Sequence, residues 1–108
     1  MSHLINHDEL QKRFFCTIDG LECSVNYEIK ETAPGIIDIY KTFVPPDLRG
    51  KGIAESLLKN ITEFAVSKGL TVNPSCSYAI LYYRRHRAHA SVLAKDVNLE
   101  NGGSCRLA

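Results

Sequence analysis

The chain has 108 residues, a formal net charge of +1, 44% hydrophobic and 23% charged residues. That length is expected to make one domain with one core, without a separate substrate-binding domain, and the near-neutral balance excludes a polyanionic partner held by net charge. The four Cys form no CxxC pair and no Cys/His zinc spacing, which argues against a metal centre or a disulfide scaffold.

Met1 to Leu10 has no apolar run of signal-peptide length, and the apolar stretch Tyr78 to Tyr83 is too short to span a bilayer. The expectation is an intracellular chain with reduced thiols, cytoplasmic in the first instance, with nucleus and mitochondrion as alternatives. Residues 1–11 are polar and are expected to be loosely ordered. Arg13 to Ile18 and Leu21 to Ile29 flank Asp19-Gly20, a two-residue hairpin signal. Leu21, Cys23, Val25, Tyr27 and Ile29 alternate with polar residues, so one face of this strand is apolar. The turn pairs Ile18 with Leu21 and sets Cys16 opposite Cys23. Such a pair admits a disulfide, but two small apolar residues in a reduced core is the preferred reading.

Pro34-Gly35 marks a turn, and Ile36 to Val44 reads as the next strand. Simple alternation puts Ile37, Ile39 and Phe43 on one face and Ile36, Tyr40 and Val44 on the other. Apolar residues on both faces predict a strand covered on both sides. Pro45 and Pro46 cannot donate to a ladder and end it.

Arg49-Gly50-Lys51-Gly52 follows and opens an amphipathic helix. Without Cβ atoms, Gly50 and Gly52 let backbone N–H groups approach a ligand closely. The first helical turn leaves its N–H groups unpaired, and Arg49 and Lys51 add positive charge there. Such a place suits a phosphate or diphosphate. Pro45 stands where a P-loop needs its first glycine and Gly52 where it needs Ser or Thr; Glu55 replaces the third glycine of a dinucleotide fingerprint. A solvated glycine turn remains the bland alternative.

The helix is predicted over Gly52 to Lys68, with Ile53, Leu57, Ile61 and Phe64 on its apolar face and Gly69 as its left-handed cap. Leu70 to Asn73 is a short strand. Strand, helix and strand with short links form a βαβ unit, so Ile36–Val44 and Leu70–Asn73 should run parallel with a right-handed crossover. Ligands of open α/β sheets bind at the C-terminal edge of such strands, where the Arg49–Ala54 loop and Cys76 converge. Ser75 to about Arg87 reads as a second helix whose Ala79, Tyr82 and Tyr83 help cover the sheet. Ala88 to Val97 could extend it, and the tail from about residue 96 to 108 looks frayed.

Arg49-x-x-Gly52-x-Ala54 is similar to the acetyl-CoA diphosphate motif (Gln/Arg-x-x-Gly-x-Gly/Ala) of the GCN5-related N-acetyltransferases. The longer pattern, from Thr42-x-Val44-Pro45 to Pro74-Ser75-Cys76-Ser77-Tyr78, resembles the small single-domain branch of that superfamily over roughly residues 12–86. The chain departs from that branch at Lys41, where a His usually precedes the Thr, so no role of that His is carried over.

The resemblance implies one N-acetyltransferase-like domain over 1–108, with an ordered core about 12–90. Its fold is α/β (α+β): an N-terminal antiparallel hairpin, a central strand, and a βαβ unit whose parallel strands splay at the cofactor site, with helices packed on the sheet. It implies acetyl-CoA or CoA as cofactor, held by Thr42, Phe43, Val44, Arg49, Gly50, Lys51, Gly52, Ile53 and Ala54, with exposed backbone near a strand bulge receiving the pantetheine arm. It also implies two catalytic candidates. Cys76, near a helix N-terminus, could take the acetyl group covalently or merely line the channel. Tyr83 matches a helical Tyr that protonates the departing CoA thiolate; Tyr82 competes for the role, and both could instead be core.

Arg84-Arg85-His86-Arg87 reads as a solvated basic face, an adenosine-phosphate contact, an acidic-substrate contact or an import patch. The His residues show no metal-ligand spacing and Cys105 reads as an idle thiol. The expected activity is acetyl transfer from acetyl-CoA to an amine, on a protein or peptide lysine or a small molecule. The alternative is a CoA-binding module without turnover. No nucleic-acid, membrane or metal partner is expected.

Overall fold

The computed structural model describes residues 5–32 and 34–94. Five strands form one sheet in the order β1 (Asn6–Asp8), β2 (Arg13–Ile18), β3 (Leu21–Glu28), β4 (Ile36–Phe43) and β5 (Thr71–Pro74). The first four are antiparallel neighbours and β4 runs parallel to β5. Helix α1 (Ile53–Lys68) connects β4 to β5, and α2 (Ser77–Arg85) follows β5.

The hairpin register is the expected one. Ile18 faces Leu21 and Cys16 faces Cys23, around a turn in which Asp19 and Gly20 take φ of 54° and 78°. Both central residues of such a turn must be left-handed, which suits Asp-Gly. Cys16 and Cys23 are buried free thiols, and burial pushes the Cys16 thiol up to about 11.

Residues 6–8, expected to be loose, are a strand. Asp8 Oδ1 accepts hydrogen bonds from the Leu10 and Gln11 amides, both at 3.1 Å, which folds the chain back toward β2. The His7 ring then stacks on Phe14 at 3.9 Å, meets Phe64 edge-on at 4.6 Å, and its Nε2 is hydrogen-bonded to the Tyr27 hydroxyl at 2.7 Å. Burial holds the His7 pKa below its ordinary 6.5, with Glu9 and Asp8 opposing. The unfolded chain therefore takes up the proton first. Stability from this contact is complete above pH 6.5 and falls as pH drops from there toward the lower folded value. Thermal melts between about pH 7.5 and 5 should show this slope, and His7→Phe should flatten it.

A bulge in β4 corrects the expected faces. Asn26 pairs with Lys41 but Tyr27 pairs with Ile39, so Tyr40 is an extra residue without a partner on β3. One inserted residue flips every side chain beyond it. Ile37 and Ile39 are buried before the bulge. After it, Thr42 lies opposite Val25 and Val44 is buried, while Tyr40 and Phe43 are 49% and 43% exposed. The outward face of β4 is thus not covered as the simple alternation implied.

Helix α1 lies across β2 to β5 and buries Ile53, Leu57, Leu58, Ile61 and Ala65. Each large side chain of that row contributes about 1.5–3 kcal/mol by leaving water. Gly69 ends the helix at φ 70°, its amide bonded back into the last turn. Helix α2 packs against α1 and the β4–β5 pair. It spans less than the expected 75–87. Arg87–Val92 forms a 3-10 helix instead, and Leu93 makes a parallel bridge to Val72. The expected frayed tail lies outside the described residues.

Candidate active site

The β4–β5 register runs from Ile36–Thr71 to Ile39–Pro74 and stops there. Pro74 has no N–H to offer, and the bulge at Tyr40 turns β4 away. The two strands diverge after the last tie, a bond from the Ser75 amide to the Ile39 carbonyl at 2.9 Å. Across this opening Thr42 Oγ1 and Cys76 Sγ lie 3.2 Å apart. Cys76 is half-buried and occupies the N-cap of α2. No side chain caps that helix start, so the amides of its first turn have no intrahelical partner.

The loop after β4 begins with a 3-10 turn, Pro46–Leu48. Arg49 Nε donates to the Val44 carbonyl at 2.8 Å, tying the loop to the strand end. Gly50 and Gly52 take φ of 80° and 78°, a backbone that other residues adopt only under strain. Gly52 is the N-cap of α1 and no side chain caps it; the first intrahelical bond runs from the Ser56 amide to the Gly52 carbonyl at 3.1 Å. Among the described residues, the amides from Gly50 to Glu55 donate to no protein acceptor.

These amides border a cavity of about 330 Å³. Its floor is the loop and the first turns of α1; its opposite wall is α2, through Tyr78, Leu81, Tyr82 and Arg85. Of the residues expected to hold a cofactor, Val44, Arg49, Gly50, Gly52, Ile53 and Ala54 line it. Lys51 is exposed and outside the lining. Thr42 is also outside the lining and lies beside Cys76, which does not line the cavity either. Phe43 points its ring to the outward face of the sheet, so only its backbone stays within reach of the opening.

Tyr83, expected as a proton donor, is not among the residues lining the cavity. It is fully buried, and its hydroxyl lies 2.5 Å from Thr62 Oγ1 on α1. Thr62 Oγ1 gives its own proton to the Leu58 carbonyl at 2.8 Å, so Tyr83 is the donor in the pair. Burial pushes the Tyr83 phenol up to about 12. Tyr82, its neighbour, lines the cavity; its hydroxyl is hydrogen-bonded to His89 Nδ1 at 2.9 Å, and burial raises its pKa.

Of the α2 wall, the sequence singled out Tyr82 and the basic cluster holding Arg85, but not Tyr78 or Leu81 as site residues. Tyr78, Leu81, Tyr82 and Arg85 stand at i, i+3, i+4 and i+7, a single helix face. That spacing was a usable signal, but it does not say which neighbour the face meets. A polar group on the outward side was also missed: Ser75 Oγ donates to Asp38 Oδ1 at 2.5 Å, next in the chain to Cys76.

Unpaired amides and a glycine-bordered cavity beside the C-terminal ends of two parallel strands give an α/β domain a site whose chemistry suits a phosphate-bearing group. The chain belongs to the GCN5-related N-acetyltransferase family, whose model matches residues 13–92 and whose cofactor is acetyl-CoA. It is similar to Protein NATD1 of Gallus gallus and of Homo sapiens, each 27% identical over 82 residues. Those matches cover 76% of this chain and 74% and 73% of the two relatives. The solution NMR structure of a GCN5-like protein from Staphylococcus aureus has the same fold, with a TM-score of 0.69 and 23% identity, covering 86% of this chain and 89% of that one.

Substituting Gly52 separates backbone from ligand effects. A Cβ there meets no heavy atom within 4 Å, so the cost to the free protein is conformational, roughly 1–2 kcal/mol. Gly52→Ala is expected to lower stability by that amount, roughly 4–16 °C in melting point, and to weaken CoA binding as well. Melts and calorimetric titration on one preparation check both.

Proposed function

We propose that this chain is an acetyl-CoA-dependent N-acetyltransferase that transfers the acetyl group to an amine by way of Cys76. The observation that carries the reading is the Thr42–Cys76 pair, 3.2 Å apart just beyond the last β4–β5 pairing, at the strand end from which the loop with the open amides departs. The residues fit the cofactor: unpaired N–H groups without neighbouring Cβ atoms suit its diphosphate, and the β4 edge beyond Ile39 suits an extended amide-bearing arm. When bound, acetyl-CoA supplies an acyl group activated as a thioester.

In this reading Cys76 Sγ attacks the acetyl carbonyl. The new S–C bond forms as the bond to the CoA sulfur breaks, and the Cys76 proton leaves with that sulfur. Thr42 Oγ1 donates to the sulfur while it is anionic, and the open amides of α2's first turn stabilise charge developing beside it. The acceptor amine, once its ammonium proton has gone to solvent, attacks the Cys76 thioester; the amide N–C bond forms as the S–C bond breaks, and the second proton lost from nitrogen returns to Cys76. Asp38, held by Ser75, offers a carboxylate to an approaching cationic amine, of a lysine side chain or a small molecule.

A second reading, a CoA-binding module without turnover, is favoured by one observation: the helical Tyr expected to act as acid is fully buried and bonded to Thr62. Release of free CoA in the presence of small amines, polyamines and lysine-containing peptides decides. CoA binding with no release on any acceptor supports the module; acceptor-dependent release supports the transferase.

A further inference from the structure

We propose that Arg85 of α2 is a second, mobile cationic arm for the cofactor's diphosphate, kept in place in the free protein by Glu55. The inference rests on the reading of the cavity as a CoA site. Arg85 lines the cavity from the wall opposite Gly50 and Gly52, so a group held by the loop amides lies between the loop and this guanidinium. Its side chain is 62% exposed, and its Nη1 stands 3.9 Å from Glu55 Oε2. Glu55 also lines the cavity and lies in the first turn of α1, among the unpaired amides. The free protein thus already holds one negative charge at the positive end of the helix, with Arg85 against it.

That pair is half-exposed and long, the kind of ion pair that contributes little to stability. A diphosphate offers Arg85 more charge and planar two-point hydrogen bonding, which a guanidinium prefers to a single distant carboxylate oxygen. His86 Nε2 also lies 3.5 Å from the same oxygen, an ion pair only when His86 is protonated. The separation along the chain also fits. Cys76 caps one end of α2 and Arg85 lies nine residues on, about 13 Å along a helix axis, which keeps the acyl end and the phosphates of one ligand apart.

The test is calorimetric titration of the whole chain with CoA and with dephospho-CoA, which lacks the 3′-phosphate. Arg85→Gln is expected to raise the CoA dissociation constant about tenfold, and that of dephospho-CoA by the same factor. Glu55→Gln, which frees Arg85 and removes a like charge, is expected to tighten both by several-fold. Equal binding of CoA by wild type and Arg85→Gln overturns the inference while leaving the CoA site intact; no binding of CoA by wild type overturns the site and the inference together. A loss confined to CoA gives Arg85 to the 3′-phosphate and also overturns the diphosphate assignment. Weaker binding in Glu55→Gln rules out the exchange.

Discussion

Incubation with acetyl-CoA is expected to leave one acetyl group on Cys76, and Cys76→Ala to stay unlabelled with turnover reduced by on the order of 10³-fold or more. The expectation is selective. Cys16 and Cys23 are buried under α1, and burial raises both thiols, Cys16 to about 11, so neither supplies thiolate near neutral pH. Cys76 is half-buried at an opening, with a hydroxyl 3.2 Å away. Intact-mass analysis followed by peptide mapping reads the result, with Cys105→Ser as background so that only Cys76 is in question. Thr42→Val should keep the adduct but slow its formation roughly tenfold, the size of one lost charge-assisted hydrogen bond. Full turnover in Cys76→Ala would mean that the amine attacks acetyl-CoA directly and that this thiol only lines the path.

Tyr83→Phe is expected to leave turnover unchanged, and Tyr83→Ala to cost about 3–5 kcal/mol of stability. The hydroxyl contributes one buried hydrogen bond to Thr62, worth about 1 kcal/mol, whereas the ring fills the space between α1 and α2. For a domain of this size each kcal/mol moves the melting point by roughly 4–8 °C, so scanning calorimetry separates the two variants easily. Alkaline titration gives an independent check. The phenol's ordinary pKa is 10.0 and burial pushes it up to about 12, so the unfolded chain loses this proton first. Stability from Tyr83 is complete below pH 10.0 and declines as pH rises toward 12. Tyr82→Phe is the counterpart, because that ring lines the cavity. A large loss of turnover in Tyr83→Phe at unchanged melting point would restore Tyr83 as the proton donor.

The two tyrosines show what a helix pattern leaves open. Adjacent residues on a helix point about 100° apart, so both read as one aromatic patch in the sequence, yet only Tyr82 reaches the cavity. Choosing between them requires knowing where α1 lies, and that depends on contacts far apart in the chain, such as Thr62 with Tyr83.

Features governed by neighbours in sequence were legible without coordinates. Asp19-Gly20 dictates the hairpin register because only left-handed residues close that turn, and the pairing of Cys16 with Cys23 follows from it. The 3.6-residue stripe from Ile53 to Ala65 dictates the buried face of α1, and Gly69 its end. Gly50 and Gly52 dictate a loop with left-handed backbone and open amides. Tertiary structure alone decided the rest. A polar stretch became β1 once His7 could lie on Phe14 and Phe64. The extra residue at Tyr40 reversed the faces beyond it, bringing Thr42 to Cys76 and sending Phe43 outward; alternation read along one strand cannot reveal a mismatch that exists only against its partner. Backbone preference is written locally, whereas the meeting of side chains from separate elements is set only when those elements pack.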